Sequence, residues 1–186
     1  MPSKIITRRE LKAVRAGLTA EQVLAKSKAI CNFIRASELY QRAGSLMAYL
    51  AFGQEVCLDG LLQDALAQGK TVAVPQVLSK TGMAAVRLTS LVDLVPDCYG
   101  IRSVAGRPQV VDPQAFDLIL VPGVGFSPSG QRIGMGAGYY DRFLVQTRGY
   151  RLGVTYEALL RQQLPVDELD QKVTALVTEL GIKLCS

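Results

Sequence analysis

The stretch DLILVPGVGFSPSGQRIGMGAGYYDRFL, residues 117–144, decides the fold. Leu118 to Val121 is an apolar run too short for a helix and is bounded by Pro122-Gly123, so it reads as a buried strand. After a turn-rich crossing, glycines recur at 134, 136 and 138, a spacing that no regular element tolerates cheaply. Tyr140, Phe143 and Leu144 then fall at i, i+3 and i+4, one face of a helix. A strand that delivers a glycine loop to a helix start is a common way to build an anion site.

The rest of the chain bounds what that site can do. Its 186 residues predict a single domain over residues 1–186. A hydrophobic share of 49% with 20% charged residues excludes a disordered chain and provides for an ample core. No apolar run is long enough to span a membrane, and the charged start does not look like a signal segment, so a cytoplasmic protein without a membrane partner is expected. Cys31, Cys57, Cys98 and Cys185 lack metal or redox spacing and are expected as reduced thiols. The net charge of +5 permits anionic partners, but Lys and Arg are dispersed, so no nucleic-acid partner is expected. The complete lack of histidine removes the His-based catalytic arrangements. Catalysis must rest on carboxylates, Lys, Arg, Tyr, backbone dipoles or an oxygen-liganded metal such as Mg²⁺.

Taken in order, Ile5 to Leu18 predicts a first helix with Leu11, Val14 and Leu18 on one face. Lys4, Arg8, Lys12 and Arg15 form a positive stripe, readable as a solvated face or as phosphate ligands. Thr19-Ala-Glu-Gln22 is a capping box opening a second helix, which carries Val23, Leu24, Ile30 and Ile34 inward and ends before Tyr40. Ser45 to Ala51 predicts a strand, Phe52 to Glu55 a loop with a carboxylate at its tip, Leu58 to Ala67 a helix and Thr71 to Pro75 a parallel strand. Glu55 is either a solvated loop acid or a ligand, its place past a strand's C-terminal end favouring the latter. Met83 to Leu88 predicts an antiparallel strand, Asp93 to Pro113 a long loop, Arg151 to Tyr156 a strand and Ala158 to Gln163 a short helix. Five or six strands alternating with helices predict a three-layer α/β domain with a mostly parallel, Rossmann-like sheet.

Glycines at 134, 136 and 138 allow backbone N–H groups to line a concave anion cradle, and a plain structural turn is the alternative. Arg132 at its entrance adds a planar donor for phosphate. Neither a Walker pattern nor G-x-G-x-x-G is present. Asp141, in the helix's first turn, either caps the helix or holds Mg²⁺ bridging phosphate oxygens. If exposed, it contributes only about 0.3–1 kcal/mol through the helix dipole, so Asp141→Asn is expected to leave folding intact. Tyr140 reads as core, whereas Tyr139 is placed to stack on a planar ligand.

The string LILVPGVGFSPSGQRIGMGAGYYDRFL resembles the signature of the 5-formyltetrahydrofolate cyclo-ligase family, also called 5,10-methenyltetrahydrofolate synthetases. The Lys/Arg-rich first helix, Tyr-Leu-x-Phe-x-x-Glu-Val at 49–56, Leu164-Pro165, Asp170 and Val177-Thr178-Glu179 extend the resemblance over nearly the whole chain. It implies ATP-dependent closure of 5-formyltetrahydrofolate to 5,10-methenyltetrahydrofolate through a phosphorylated formyl group, in a fold like that of the NagB/RpiA/CoA-transferase group. It also implies Mg²⁺ as cofactor and a monomer, with the polyglutamate preference open. By this resemblance, Lys4, Ile5, Ile6, Thr7 and Arg8 on the first helix would contact ATP. So would Arg132, Ile133, Gly134, Met135, Gly136, Ala137, Gly138, Tyr139 and Tyr140. Leu50, Glu55 and the Met135 to Tyr139 segment would contact the folate, and Asp141 and Asp170 would hold the metal. Lys4, Arg132 and Tyr139 would stand nearest the chemistry. Such a reaction needs positioning and charge neutralisation rather than a protein nucleophile, so a histidine-free site suits it.

The chain departs from the family pattern in places. Gly100-Ile-Arg-Ser-Val-Ala-Gly106 lacks the usual Glu-Pro, and Leu169, Leu159 and Ala137 replace the more common His, Gln and Gly or Lys. Two other readings remain at this level: a sugar-phosphate or acyl-CoA enzyme of related topology, and a non-catalytic nucleic-acid-binding relative.

Overall fold

The structure is a computed structural model in which residues 3–79, 82–97 and 100–186 are described. An eight-stranded sheet organises it, in the order β12-β11-β10-β7-β1-β2-β3-β6. The strands are β1 (Ser45–Met47), β2 (Thr71–Val77), β3 (Met83–Arg87), β6 (Val110–Val111), β7 (Leu118–Pro122), β10 (Tyr150–Val154), β11 (Ala175–Thr178) and β12 (Gly181–Leu184). The five central strands β11, β10, β7, β1 and β2 run parallel, and antiparallel strands finish both edges. Two separate hairpins, β4 (Leu94–Pro96) with β5 (Arg102–Val104) and β8 (Gly125–Phe126) with β9 (Arg132–Ile133), decorate the sheet.

Strand alternation divides the core. In β7, Leu118 and Leu120 join a cluster with Leu11, Ile30, Ile34, Leu61 and Leu62. These come from helices α1 (Lys4–Ala16), α2 (Ala20–Ala36) and α4 (Asp59–Ala67). Ile119 and Val121 face the other way, against Phe126, Phe143 and Leu144, the last two from α5 (Tyr139–Leu144). Helices on both faces of a mostly parallel sheet make the three-layer α/β architecture predicted above. From β1 the chain steps to β2 on one side and later to β7 and β10 on the other. The switch point therefore lies between the C-terminal ends of β1 and β7, where open α/β sheets place their ligands.

The second helix ends before Tyr40, as expected: it stops at Ala36, because Ser37 is extended, with ψ 143°, and caps a further short helix, α3 (Glu38–Arg42). Other details of the helices and loops differ from expectation. Its inward face is Ser27, Ile30, Cys31 and Ile34, while Leu24 is 71% exposed. On α1 the buried residues are Thr7, Leu11 and Arg15, and Val14 is exposed. The loop expected over 93–113 contains β4, β5 and β6. The helix expected over 158–163 is one 3₁₀ turn (Glu157–Leu159), since the Arg161 N–H donates to the Phe126 carbonyl and draws the chain onto the β8–β9 hairpin. Cys31, Cys57 and Cys185 are free thiols, and Cys98 lies outside the described residues. Among the described residues, no helix is long and apolar enough to cross a membrane.

Candidate active site

The site forms where α1 crosses the C-terminal end of the sheet. The helix starts at Lys4 because Ser3, extended and preceding it, accepts the Ile6 N–H. It is held down by Leu11, which is fully buried. A Cβ at Gly125 would lie 2.5 Å from Leu11 Cδ1, so only glycine in β8 permits this approach. Anchored there, α1 presents its positive stripe inward rather than to solvent.

Three members of that stripe, Lys4, Arg8 and Arg15, meet distant partners. Lys4 Nζ donates to Asp170 Oδ2 at 2.5 Å and to Asp167 Oδ2 at 2.6 Å, and these pairs raise its pKa despite partial desolvation. Arg8 Nε donates to the Gly134 carbonyl at 2.8 Å, and its guanidinium lies against Gly136. Arg15, buried on the same face, donates to Glu55 Oε1 at 3.2 Å. Beside Lys4, Ile5 is 74% exposed and Ile6 is exposed too, whereas Thr7 is buried.

The glycine loop occupies residues 134–138; of the Arg132 to Tyr140 segment expected to contact ATP, Arg132 and Ile133 belong to β9 and Tyr139 and Tyr140 to α5. Gly136 and Gly138 have φ +109° and +68°, conformations open to glycine, and Gly138 is the N-terminal cap of α5. Among the described residues, the backbone N–H groups of 136–138 have no hydrogen-bond acceptor. Met135 and Ala137 stand exposed at the loop's tip. Arg132 is not at the mouth of the loop, as expected, but beneath it. Its side chain is only 3% exposed and donates to Asp141 Oδ1 at 2.6 Å, and among the described residues its Nε has no partner. It packs against the Tyr140 ring at 5.7 Å. Tyr140, read as core, is partly buried against the Phe126–Phe143 cluster; among the described residues its buried hydroxyl has no partner, and burial pushes its pKa far up. Tyr139 stacks with the Arg142 guanidinium at 5.4 Å and donates its hydroxyl to the Ser79 carbonyl.

Asp141 and Asp170, far apart in sequence, become neighbours through Gln171, whose N–H donates to Asp141 Oδ1 at 3.1 Å. Asp170 Oδ2 also accepts the Asp167 N–H. Two carboxylates, each balanced by a buried or half-buried cation, thus sit against the glycine loop and the start of α1. Asp167 and Gln171 escaped the sequence reading, since nothing local distinguishes them from helix-flanking polar residues.

Glu55 is not a solvated loop tip either, with only 18% of its side chain exposed. Burial raises its pKa, and Arg15 is the strongest influence against that rise. Its other oxygen, Oε2, accepts the Phe52 N–H at 3.1 Å. It borders a cleft with Tyr49, Gly123, Thr155 and Tyr156 at the β1–β7 switch point. The cleft encloses about 10 Å³, room for roughly one water. Leu50 lies next to it but is buried in the core. Of the positions that depart from the family pattern, Leu169 is 82% exposed and Leu159 buried. The Glu-Pro-less segment forms β5, tied to α4 by a two-pronged Arg102–Asp59 bridge.

The family model of the 5-formyltetrahydrofolate cyclo-ligase family matches residues 1–179. The mouse (Mus musculus) 5-formyltetrahydrofolate cyclo-ligase is 30% identical over 185 residues, covering 92% of this chain and 91% of its own. The protein of that name from Haemophilus influenzae is 28% identical over 169 residues, 88% of this chain and 90% of its own. The solved structure of Aquifex aeolicus 5,10-methenyltetrahydrofolate synthetase superposes with a TM-score of 0.86 at 30% identity, over 98% of this chain and 92% of that one. A Mycoplasma pneumoniae 5,10-methenyltetrahydrofolate synthetase, at 19% identity and TM-score 0.79 over 96% of this chain and 99% of its own, shares the fold. The chain belongs to the 5-formyltetrahydrofolate cyclo-ligase family.

Proposed function

We propose that the protein catalyses the ATP- and Mg²⁺-dependent closure of 5-formyltetrahydrofolate to 5,10-methenyltetrahydrofolate, releasing ADP and phosphate. One observation carries this reading. Three distant segments, the start of α1, the glycine loop and residues 167–171, converge so that Lys4, Arg8 and Arg132 lie among Asp141, Asp170 and unpaired loop N–H groups. That is the donor set a nucleotide's phosphates need, and it adjoins the Glu55 cleft at the switch point.

The formyl oxygen is a poor leaving group, so the chemistry begins by placing the γ-phosphoryl group on it. The bond from the γ-phosphorus to the β–γ bridging oxygen breaks, and ADP leaves. N10 of the folate then attacks the formyl carbon and loses its proton, and the C–O bond breaks to release phosphate carrying the formyl oxygen. Lys4 and Arg132 would neutralise charge on the transferred group, while Arg8 and the loop N–H groups hold the other phosphates. Tyr139, on the loop's flank, would stack on the planar ligand, and Ile5 and Ile6 would offer apolar contact beside it. Glu55 would accept N–H donors of the pterin, with the loop backbone from Met135 to Tyr139 closing over the folate.

Asp141 and Asp170 fit Mg²⁺. Both are hard oxygen donors, and Mg²⁺ typically takes one or two carboxylates and completes its shell with water and substrate phosphates. Among the described residues, no cluster of three or more acidic or sulfur ligands could hold a metal by itself, in keeping with an ion that arrives with the nucleotide. Bound there, the ion would supply further neutralisation of the phosphate oxygens. Lys4 and Arg132 would then exchange their carboxylate partners for phosphates. A cleft of about 10 Å³ is too small for a pterin, so folate entry would involve movement of the flanking loops.

The test is turnover of purified protein with 5-formyltetrahydrofolate, followed through the near-ultraviolet absorbance of the methenyl product. Product should appear only with ATP and Mg²⁺ together. A folded protein that binds ATP yet forms none would overturn the assignment.

A further inference from the structure

Arg15 has no assigned part in this site, yet it is the innermost cation of the α1 stripe. Its guanidinium donates to Glu55 Oε1 at 3.2 Å, with 10% of the arginine and 18% of the glutamate side chain exposed. The Phe52 N–H takes the other glutamate oxygen at 3.1 Å. A carboxylate offers about four lone-pair directions, so about two remain for a ligand in the adjoining cleft. Among the described residues, Tyr49 from the end of β1 and Tyr140 from α5 interact with Glu55, and Tyr156 from the end of β10 lines the same cleft; burial pushes all three hydroxyls up, so they stay neutral. Arg132 faces the Tyr140 ring and spends its charge on Asp141.

We propose that Arg15 is a positioning residue for the folate: it keeps Glu55 ionised and fixed in orientation, so that the carboxylate's open lone pairs receive the pterin's N–H donors. The proposal rests on the proposed function, because it gives Glu55 a folate to bind. The physical need is plain. Burial pushes the Glu55 carboxyl up and Arg15 opposes that rise, so loss of the cation would favour the protonated acid, which has less acceptor capacity. The Phe52 N–H fixes one oxygen, and Arg15 fixes the other from a helix already anchored by Leu11. Two restraints on two oxygens set the carboxylate plane. The same helix carries Lys4 and Arg8, so the folate and nucleotide halves of the site share one rigid element.

A tether between α1 and the Phe52–Glu55 loop could stabilise the fold without serving the ligand, and the two roles separate by pH. Binding of 5-formyltetrahydrofolate is measured by calorimetry without ATP, from about pH 6 to about pH 8. In Arg15→Met, binding should weaken as pH falls, with a midpoint at least about one pH unit above the wild type, so affinity at the acid end drops about tenfold further than at the alkaline end. Arg15→Lys should recover part of that shift, and ATP binding should not change. Glu55→Gln and Glu55→Gln/Arg15→Met should bind the folate equally, a comparison that holds even if Arg15→Met alone fails to fold. A loss that is uniform across pH, or a further loss when Arg15→Met is added to Glu55→Gln, would overturn the proposal. Wild-type protein that binds the folate but never turns it over would refute the proposed function and leave Arg15's role standing. Wild-type protein that does not bind it would refute both.

Discussion

Arg132 and Asp141 meet at 2.6 Å, and the arginine is the deeper of the two, 3% exposed against 20%. The sequence presents Asp141 as an exposed first-turn acid whose loss costs little. The structure makes it the counter-ion of a buried guanidinium and the acceptor of the Gln171 N–H. Asp141→Asn keeps an acceptor but removes the charge, so it should destabilise the fold by about 1–3 kcal/mol, read as a shift in the urea midpoint. Turnover should also fall at least about tenfold, most severely at low Mg²⁺. Near-full turnover at low Mg²⁺ would remove Asp141 from the proposed metal site.

Gly136→Ala tests the loop. The residue has φ +109°, a backbone state that alanine adopts only under strain, and an added Cβ would meet the Arg8 guanidinium at 3.4 Å. Strain of this kind costs about 1–3 kcal/mol, and the shifted loop would disturb the Arg8 bond to the Gly134 carbonyl. KM for ATP should rise more than KM for the folate. An unchanged KM for ATP in a folded variant would show that the loop does not form the phosphate floor.

Leu11→Ala should loosen α1 itself. Leu11 is fully buried at the Gly125 approach, and truncating such a residue typically costs about 2–5 kcal/mol. Since α1 carries Lys4, Arg8 and Arg15, affinity for both substrates should weaken together. Loss of stability with unaltered KM for both would mean that the helix is held by other contacts.

Asp117 offers a pH test far from the chemistry, at the opposite end of the strands. Its carboxylate accepts from the Gly44 and Ser45 N–H groups and from the Ser45 hydroxyl, at 2.8, 2.9 and 2.8 Å. The Ser45 hydroxyl bond leads in holding its pKa below the ordinary 3.8. A depressed folded pKa means stabilisation that is complete above 3.8 and lost as pH falls through the folded value. The melting temperature of wild-type protein should therefore exceed that of Asp117→Asn near neutral pH and converge with it in acid. A gap that stays constant into strong acid would contradict this role.

The sequence carried the frame of the fold because its main signals are local. Leu118 to Val121 is apolar at every position and is buried at every position, and Thr19 and Gln22 form the reciprocal capping box that their spacing announces. Short edge pieces were illegible. Strands of two or three residues, such as Val110–Val111, are too short to show a period. The site was legible only in halves. A Lys/Arg stripe reads as solvated when its partners are remote, and Lys4 finds Asp170 across 166 positions and Arg15 finds Glu55 across 40. The burial of Arg132 was hidden for a related reason, since it depends on how the β8–β9 hairpin tucks beneath the glycine loop.

Transfer of the γ-phosphoryl group to the formyl oxygen leaves a signature that isotope tracing can read. 5-Formyltetrahydrofolate labelled with oxygen-18 in the formyl group would be turned over with unlabelled ATP and Mg²⁺ in unlabelled water, and the released phosphate analysed by mass spectrometry. The label should appear in inorganic phosphate, one atom for each methenyl product formed. Unlabelled phosphate, with the label recovered in water, would contradict it.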